Sequence, residues 1–360
     1  MKWSLFVGKV SGIKIFIHWT FLILILWIVQ REIFQGHNLS ETLLTVAFVF
    51  TVFVCIVLHE LGHALTAKRF NIKTKDIILL PIGGLARMEN LPERPRQEFL
   101  VAVMGPVVNV VISGILFVIL KASGNFPSSF NNLELTPGSF LFHLFTVNLF
   151  LALFNFIPAF PMDGGRVLRA LLSLKFSRVK ATRIAAWAGQ VFAIIFVFIG
   201  ISYNPFLVFI GLFIFLGAHA EAKAEETLST LKEIKVSDVL MHHYSVLQTD
   251  DPLSKAVDLL LNSQEHSFIV QDNGQVQGTL SRKDIIEGLS KYGKDIPVSK
   301  VMQSQPVFLM PGDLLRDIIQ KFSDKVETIL PVSDGKKIVG VLDLENIREF
   351  IQIQNALSKS

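Results

Sequence analysis

Cysteine is nearly absent from this chain of 360 residues, since Cys55 is the only one. A lone cysteine excludes an intrachain disulfide, and its place inside an apolar run indicates a small buried side chain. Charged residues are also scarce, at 18% of the sequence against 51% apolar residues, and the mean hydropathy is +0.50. This composition, with 31 phenylalanines, is typical of a membrane protein rather than a soluble globular one.

A strong excess of either charge is lacking too, because the formal net charge is only +4. The sequence has no basic patch, which argues against a nucleic-acid partner. The first apolar run is not followed by the small residues of a cleavage site, so we expect a membrane span there and no cleavable signal peptide.

Six apolar runs predict six membrane-spanning helices. They cover residues 15–29, 42–58, 99–120, 140–162, 184–201 and 205–220. Residues 1–14 predict a short hairpin that leads into the membrane. Residues 71–90 alternate between polar and apolar side chains and contain Pro81, Gly83 and Gly84, so they predict a short strand pair close to the site described next.

The strongest motif closes the second run, where His59 and His63 lie four residues apart and Glu60 directly follows the first. Four residues is close to one helical turn, so both imidazoles point the same way and can bind one Zn²⁺. Glu60 can then orient and deprotonate a water molecule at the metal. Ionisable residues at membrane depth are costly and therefore indicate function.

Loop charges predict which side of the membrane this motif faces. With both termini in the cytoplasm, the three inner segments carry three, seven and six Lys or Arg residues, whereas the outer loops carry only Arg31 and Lys121. The second and fourth spans then both run inward. Asp163, just after the fourth span, is therefore expected at the depth of the two histidines.

Asp163 is the predicted third zinc ligand, since a catalytic zinc takes three protein ligands and keeps one position open. Pro158 and Pro161 remove backbone N–H donors and open the helix before it, and Gly164 and Gly165 permit unusual backbone angles. The alternative is a helix-end carboxylate beside Arg166. The combination predicts hydrolysis in which zinc polarises a carbonyl and Glu60 transfers the proton.

Three motifs together resemble the site-2 protease family of intramembrane zinc metalloproteases. They are His59-Glu60-x-x-His63, Gly105-Pro106-x-x-Asn109 and Asn155-x-x-Pro158-x-x-Pro161-x-Asp163-Gly164. The resemblance implies regulated cleavage of membrane-anchored proteins such as anti-sigma factors or pro-proteins, in a bacterial or archaeal plasma membrane. It also implies a substrate-binding role for Asn155 and for the segment around Gly83 and Gly84. Asn109 is either a structural hydrogen-bonding residue or part of the site.

The C-terminal part contains an internal repeat offset by 62 residues, in which 236–241 matches 298–302 and 276–284 matches 338–346. Each copy predicts short strands and two helices, and the pair resembles tandem CBS domains, which often bind adenine nucleotides. In that family a Ser or Thr and an Asp three residues later hold the ribose, as Ser281 and Asp284 would here. The second copy has Asp343 and Asn346 instead. A purely structural or dimerising module is the alternative.

The predicted fold is thus a polytopic α-helical membrane protein with short β segments near the site, followed by an α/β tandem CBS module. The predicted domains are a zinc metalloprotease domain at 1–220, a linker helix at 221–235 and CBS domains at 236–290 and 298–352. Predicted partners are the bilayer, a membrane-anchored substrate, ATP or another adenine nucleotide, and a second copy through CBS pairing. The rival function is a CBS-gated transporter or channel, which would need no general base such as Glu60.

The charge bias generates a first testable prediction, that both termini and the loop 68–96 lie in the cytoplasm. In a Cys55→Ala background, we expect an impermeant thiol reagent added to intact cells to label Phe130→Cys and to leave Asn90→Cys unlabelled. The reverse pattern would invert the topology and the depth of the site.

Overall fold

The computed structural model describes residues 4–81, 83–88, 92, 94–127, 134–231, 233–322, 329–335 and 337–357. Positions 90 and 130, the two proposed labelling sites, lie outside these ranges. The chain divides into two compact units, Met1–Glu225 and Glu226–Ser360.

The first unit is mainly helical. Its helices are α1 (Thr20–Phe34), α2 (Leu39–Arg69), α3 (Pro95–Ala122), α4 (Phe140–Asn155), α5 (Asp163–Leu172), α6 (Arg178–Tyr203) and α7 (Pro205–Thr230). Four of them, α2, α3, α6 and α7, are long and apolar enough to cross a membrane. Only 17–33% of their most apolar stretches is buried within the protein, so most of this surface is available to lipid.

The two remaining predicted spans are also helices, but α1 has 15 residues and α4 has 16. The total of six spans therefore stays a prediction. The predicted start of the first span at residue 15 is wrong, because residues 15–18 belong to a strand and α1 begins at Thr20. Alternation decides this, since Ile13 and Ile15 are buried while Lys14 between them is exposed.

Four strands form one sheet in the order β1 (Ser4–Val10), β2 (Ile13–His18), β3 (Thr74–Leu80) and β4 (Gly83–Met88). The expected hairpin and the expected strand pair are both present, and parallel pairing of β2 with β3 joins them. Buried Ile13 and Ile77 pack against Leu61 and Ala64 of α2. The sheet therefore lies directly against the helix that carries the histidines, with β4 as an edge strand.

A buried ionic cluster holds the ends of four helices together. Arg169 of α5 is 1% exposed and binds Glu98 of α3 at 2.7 Å and Glu221 of α7 at 3.1 Å. Arg178 of α6 binds Glu98 at 2.7 Å and Glu225 of α7 at 3.0 Å. Removing one partner from a buried ion pair typically costs about 3–5 kcal/mol, so these residues fix α5 against its neighbours.

Helix α7 continues without a break past residue 220. The first ten residues of the predicted linker helix, 221–230, are therefore the last turns of α7. This one helix begins in the first unit and ends in the second.

In its described residues, the second unit contains two sheets and four α-helices. One sheet has the order β5 (Val246–Gln248), β6 (Ser267–Asp272), β7 (Gln275–Ser281) and β8 (Gln303–Ser304), and the other pairs β9 (Ile329–Ser333) with β10 (Ile338–Asp343). The helices are α8 (Leu253–Asn262), α9 (Arg282–Tyr292), α10 (Leu315–Phe322) and α11 (Leu344–Leu357). Ile269, Ile329 and Val341 form a small core between the two sheets.

Candidate metal centre and nucleotide cleft

Three side-chain atoms converge on one point inside the first unit. The Nε2 atoms of His59 and His63 lie 3.1 Å apart, and Oδ2 of Asp163 lies 3.1 Å from each of them. His59 is 7% exposed and His63 is 4% exposed. Within the described part of the chain, these residues are the one group of three His, Cys, Asp or Glu side chains close enough to share a metal ion.

The other ring nitrogen of each histidine faces an acceptor. Nδ1 of His59 donates to Oδ1 of Asn109 at 2.5 Å, and Nδ1 of His63 donates to the Val101 carbonyl oxygen at 2.7 Å. Both acceptors belong to α3. With the proton held on Nδ1, the lone pair of each Nε2 is directed at the shared point, as a metal-ligating histidine requires.

This donor set fits zinc. Ligand atoms about 2.0–2.1 Å from a tetrahedral zinc ion lie roughly 3.3 Å from one another, close to the observed 3.1 Å separations. Two imidazole nitrogens and one carboxylate oxygen are also ordinary zinc ligands. His59, His63 and Asp163 would therefore hold the ion.

Asp163 reaches the histidines because α5 begins there, after the irregular segment 156–162. A Cβ atom on Gly164 would lie 2.1 Å from the Ile157 carbonyl oxygen, and one on Gly165 would lie 2.5 Å from the Phe160 backbone nitrogen. These glycines thus let the first turn of α5 fold directly onto the preceding backbone. Pro158 and Pro161 lie in that segment, and Pro161 packs against Gly217 of α7.

Gly105 leaves room for the histidines. A Cβ atom at this position would lie 2.1 Å from Nε2 of His63 and 2.8 Å from Nε2 of His59. Helix α3 continues through both Gly105 and Pro106. The close approach of helix backbone to imidazole is what the glycine provides.

Glu60 faces the sheet from the turn of α2 that carries His59. Its Oε2 accepts a hydrogen bond from the Ala86 backbone N–H of β4 at 3.3 Å. A Cβ atom on Gly84 would lie 2.7 Å from the Glu60 Cγ, so that glycine admits the glutamate. Gly83 has a φ of +139°, a conformation that favours glycine.

Two further predicted residues of this unit, Asn109 and Asn155, lie on α3 and α4. Asn109 contacts His59 directly and is 0% exposed. Asn155 ends α4 and donates to the Leu151 carbonyl oxygen at 3.0 Å, so its role in substrate binding stays a prediction. The sequence reasoning missed Asn148, which is 0% exposed and hydrogen-bonds Asn109. An amide inside an otherwise apolar span was the available signal.

In the second unit, Ser281 and Asp284 bind each other. The Ser281 hydroxyl donates to Oδ2 of Asp284 at 2.5 Å, and the pair forms a capping box at the start of α9. Gln303 donates to both carboxylate oxygens of Asp284, at 3.3 and 3.1 Å. Ser281 lines a neighbouring cavity of about 590 Å³, whereas Asp284 is not among its lining residues.

This cavity lies between the two repeats and carries both charges. Ser281 and Asp343, the positions equivalent in the two repeats, both line it. Three of its lining residues are cationic, and they are Arg282, Lys283 and Arg348. Burial raises the pKa of the Asp343 carboxyl, an effect that its hydrogen bond from the Glu345 backbone N–H opposes.

A His–His–Asp cluster with an adjacent glutamate, buried among helices able to cross a membrane, defines a membrane-embedded metalloprotease. Known proteins agree with this class. The sequence model of peptidase family M50 matches residues 47–199, and that of the CBS domain matches residues 236–291 and 298–353. Zinc metalloprotease MJ0392 of Methanocaldococcus jannaschii is 30% identical over 354 residues, which cover 98% of this chain and 97% of that protein.

Two further relatives are similar over part of the chain. Stage IV sporulation protein FB of Bacillus subtilis is 30% identical over 162 residues, or 44% of this chain and 49% of that protein. The solved site-2 protease from Methanocaldococcus jannaschii is 38% identical and covers 61% of this chain and 95% of that chain, with a TM-score of 0.46. The chain belongs to peptidase family M50, the site-2 protease family of zinc metalloproteases, and carries two CBS domains.

The spacing at Gly105 generates a prediction. We expect Gly105→Ala to lower the zinc content of the purified protein from about one ion per chain to near zero, because the added methyl group occupies the space of both imidazoles. Metal analysis measures this. Alanine favours a helix over glycine by about 1 kcal/mol, so helix destabilisation would not account for the loss.

Gly114→Ala is the matched control, because Gly114 is on the same helix and a Cβ atom there would meet nothing within 4 Å. This variant should keep its zinc. Full zinc occupancy in Gly105→Ala would contradict the placement of the site.

Proposed function

We propose that this protein cleaves peptide bonds in or near the transmembrane segments of membrane-anchored proteins, at a site open to the cytoplasmic face. The observation that carries the proposal is the convergence of three ligand atoms, because Nε2 of His59, Nε2 of His63 and Oδ2 of Asp163 lie 3.1 Å from one another. Glu60 directly follows His59 in the chain. The orientation rests on the loop charges. A CBS-gated transporter or channel is not favoured, because the chain belongs to a protease family.

His59, His63 and Asp163 would hold one Zn²⁺, which when bound supplies a Lewis acid for the scissile carbonyl and activates water. Glu60 acts as the general base and then passes the proton to the leaving amine. Asn109 and the Val101 carbonyl keep the two imidazoles in the tautomer that binding needs.

The substrate is proposed to bind as an added strand on β4. A transmembrane helix protects its peptide bonds by its own hydrogen bonds, so the cleaved segment must first unwind. The edge strand β4 offers backbone groups to such an extended segment, and its Ala86 N–H now binds Glu60. A substrate carbonyl that takes over the Ala86 N–H would release the Glu60 carboxylate for catalysis.

Gly83, Gly84 and Asn155 are the proposed substrate-contacting residues, and Pro158 and Pro161 shape the wall of the site. The contact of Gly84 with Glu60 supports its part in this set, since any larger residue would displace the base. Asn155 is half-buried at the end of α4, next to the segment that leads to Asp163.

The CBS pair is proposed to bind ATP or another adenine nucleotide in the cleft lined by Ser281 and thereby to regulate cleavage. Arg282, Lys283 and Arg348 would bind phosphate groups in a cleft that Glu287, Asp343 and Glu345 also line, and the volume of about 590 Å³ is in the range of small-molecule sites. Ser281 lines this cleft, and Asp284, whose carboxylate binds Ser281 and Gln303 outside the lining, is the second proposed ribose-binding residue. Association of two copies through their CBS pairs belongs to the same proposal.

Replacement of the base separates catalysis from metal binding. We expect Glu60→Gln to lower the cleavage rate at least about 100-fold, as loss of a general base does, while zinc stays near one ion per chain. Candidate single-span membrane proteins incubated with the purified enzyme, with and without a zinc chelator, measure the rate.

Asp163→Ala is the contrasting variant, because it removes a proposed ligand and should lower zinc content and cleavage together. Cleavage by Glu60→Gln at more than a few per cent of the wild-type rate would reject Glu60 as the base.

Nucleotide binding is tested on the full-length protein in detergent by calorimetry with ATP, ADP and AMP. We expect one adenine nucleotide per chain. Asp284→Asn should weaken binding about tenfold or more, as loss of a hydrogen bond to a charged group does.

Asp258→Asn is the control, since it makes the same change of charge on the exposed face of α8. An absence of binding at millimolar concentration would assign the module a structural or substrate-docking role.

A further inference from the structure

Two asparagines lie completely buried in the apolar interior of the first unit. Asn109 of α3 and Asn148 of α4 are both 0% exposed. Nδ2 of Asn109 donates to Oδ1 of Asn148 at 2.9 Å, and Nδ2 of Asn148 donates to the Leu144 carbonyl oxygen at 2.9 Å. Together with the bond from His59 to Asn109, these contacts form one chain of hydrogen bonds across α2, α3 and α4.

Every bond in this chain runs in the same direction. His59 donates to Asn109, Asn109 donates to Asn148, and Asn148 donates to a backbone carbonyl of its own helix. A backbone carbonyl can only accept, so it decides which end of the Asn148 amide faces Asn109. That choice decides which end of the Asn109 amide faces His59.

We propose that Asn148 is a positioning residue of the metal centre and that it holds the proton of His59 on Nδ1. It acts through Asn109, whose side chain lies between Asn148 and the imidazole. The inference rests on the zinc site of the proposed function. It concerns the affinity of that site and not only the packing of α4 against α3.

Loss of the Asn148 oxygen would leave the Asn109 amide group without an acceptor in an apolar interior. Asn109 could then turn over and present its N–H to Nδ1 of His59. A donor at Nδ1 requires a lone pair there and puts the proton on Nε2, the atom that must face the metal. The predicted defect is therefore weaker zinc binding at an intact fold.

The primary variant is Asn148→Leu in the full-length protein, with zinc affinity measured by competition with a chromophoric chelator. Outer-shell partners of metal ligands typically contribute 10- to 100-fold in affinity, and we expect a loss of about tenfold. A second readout is the visible spectrum of the cobalt-substituted protein, which should change because the His59 ligand is altered.

Asn148→Asp is the conservative variant, and it keeps the experiment interpretable if Asn148→Leu does not fold. Burial favours the neutral acid, whose O–H can donate to Leu144 while its carbonyl accepts from Asn109. This variant should keep zinc affinity close to that of the wild type. Ser113→Ala is the matched control, since Ser113 is buried on α3 and its hydroxyl has no hydrogen-bond partner among the described residues.

A double-mutant cycle decides whether Asn148 acts through Asn109. We expect Asn109→Leu with Asn148→Leu to bind zinc as weakly as Asn109→Leu alone. Independent, additive losses would overturn the proposal, as would unchanged zinc affinity in Asn148→Leu or a loss in Asn148→Asp as large as that in Asn148→Leu. A wild-type protein that binds no zinc would instead reject the proposed function itself.

Discussion

The structure depends on keeping a polar ligand set inside an apolar helical unit. Two imidazoles and a carboxylate meet where water has little access, and buried polar groups without partners are costly. The unit meets this cost at the outer nitrogen of each ring, because the Nδ1 atoms donate to Asn109 and to the Val101 carbonyl oxygen. The two Nε2 atoms and the Asp163 carboxylate are left as three acceptors around one point, where a bound cation would satisfy them. The same Nδ1 partners hold the two imidazole rings in one orientation. The hydrogen bonds that satisfy the buried ring nitrogens therefore also preorganise the site for a metal ion.

Close backbone approach is the second constraint, and glycine meets it wherever elements converge. Gly105 admits the histidines to α3, Gly84 admits Glu60 to β4, and Gly164 and Gly165 fold α5 onto the preceding turn. A side chain at any of these places would separate elements whose contacts define the site. The glycines therefore belong to the metal centre although none can bind a metal.

The ion pairs of Arg169 connect the metal centre to the rest of the chain. Asp163 and Arg169 share the short helix α5, and the partners of Arg169 lie on α3 and α7. Helix α7 is also the helix that continues into the second unit. These ion pairs hold the short helix that begins with Asp163 against its neighbours in the first unit.

Much of this protein could be predicted from its sequence, because the deciding patterns are local. Helical periodicity puts His59 and His63 on one face, unbroken apolar runs give the long helices, and a constant offset of 62 residues reveals the CBS pair. Only the tertiary structure decided what depends on contacts between distant segments. The joining of two hairpins into one sheet, the hydrogen bond from Ala86 to Glu60 and the chain from His59 to Asn148 are of this kind. Asn148 lies 89 positions after His59 and shares no periodic pattern with it. Its link to His59 therefore appears only when α2, α3 and α4 pack together.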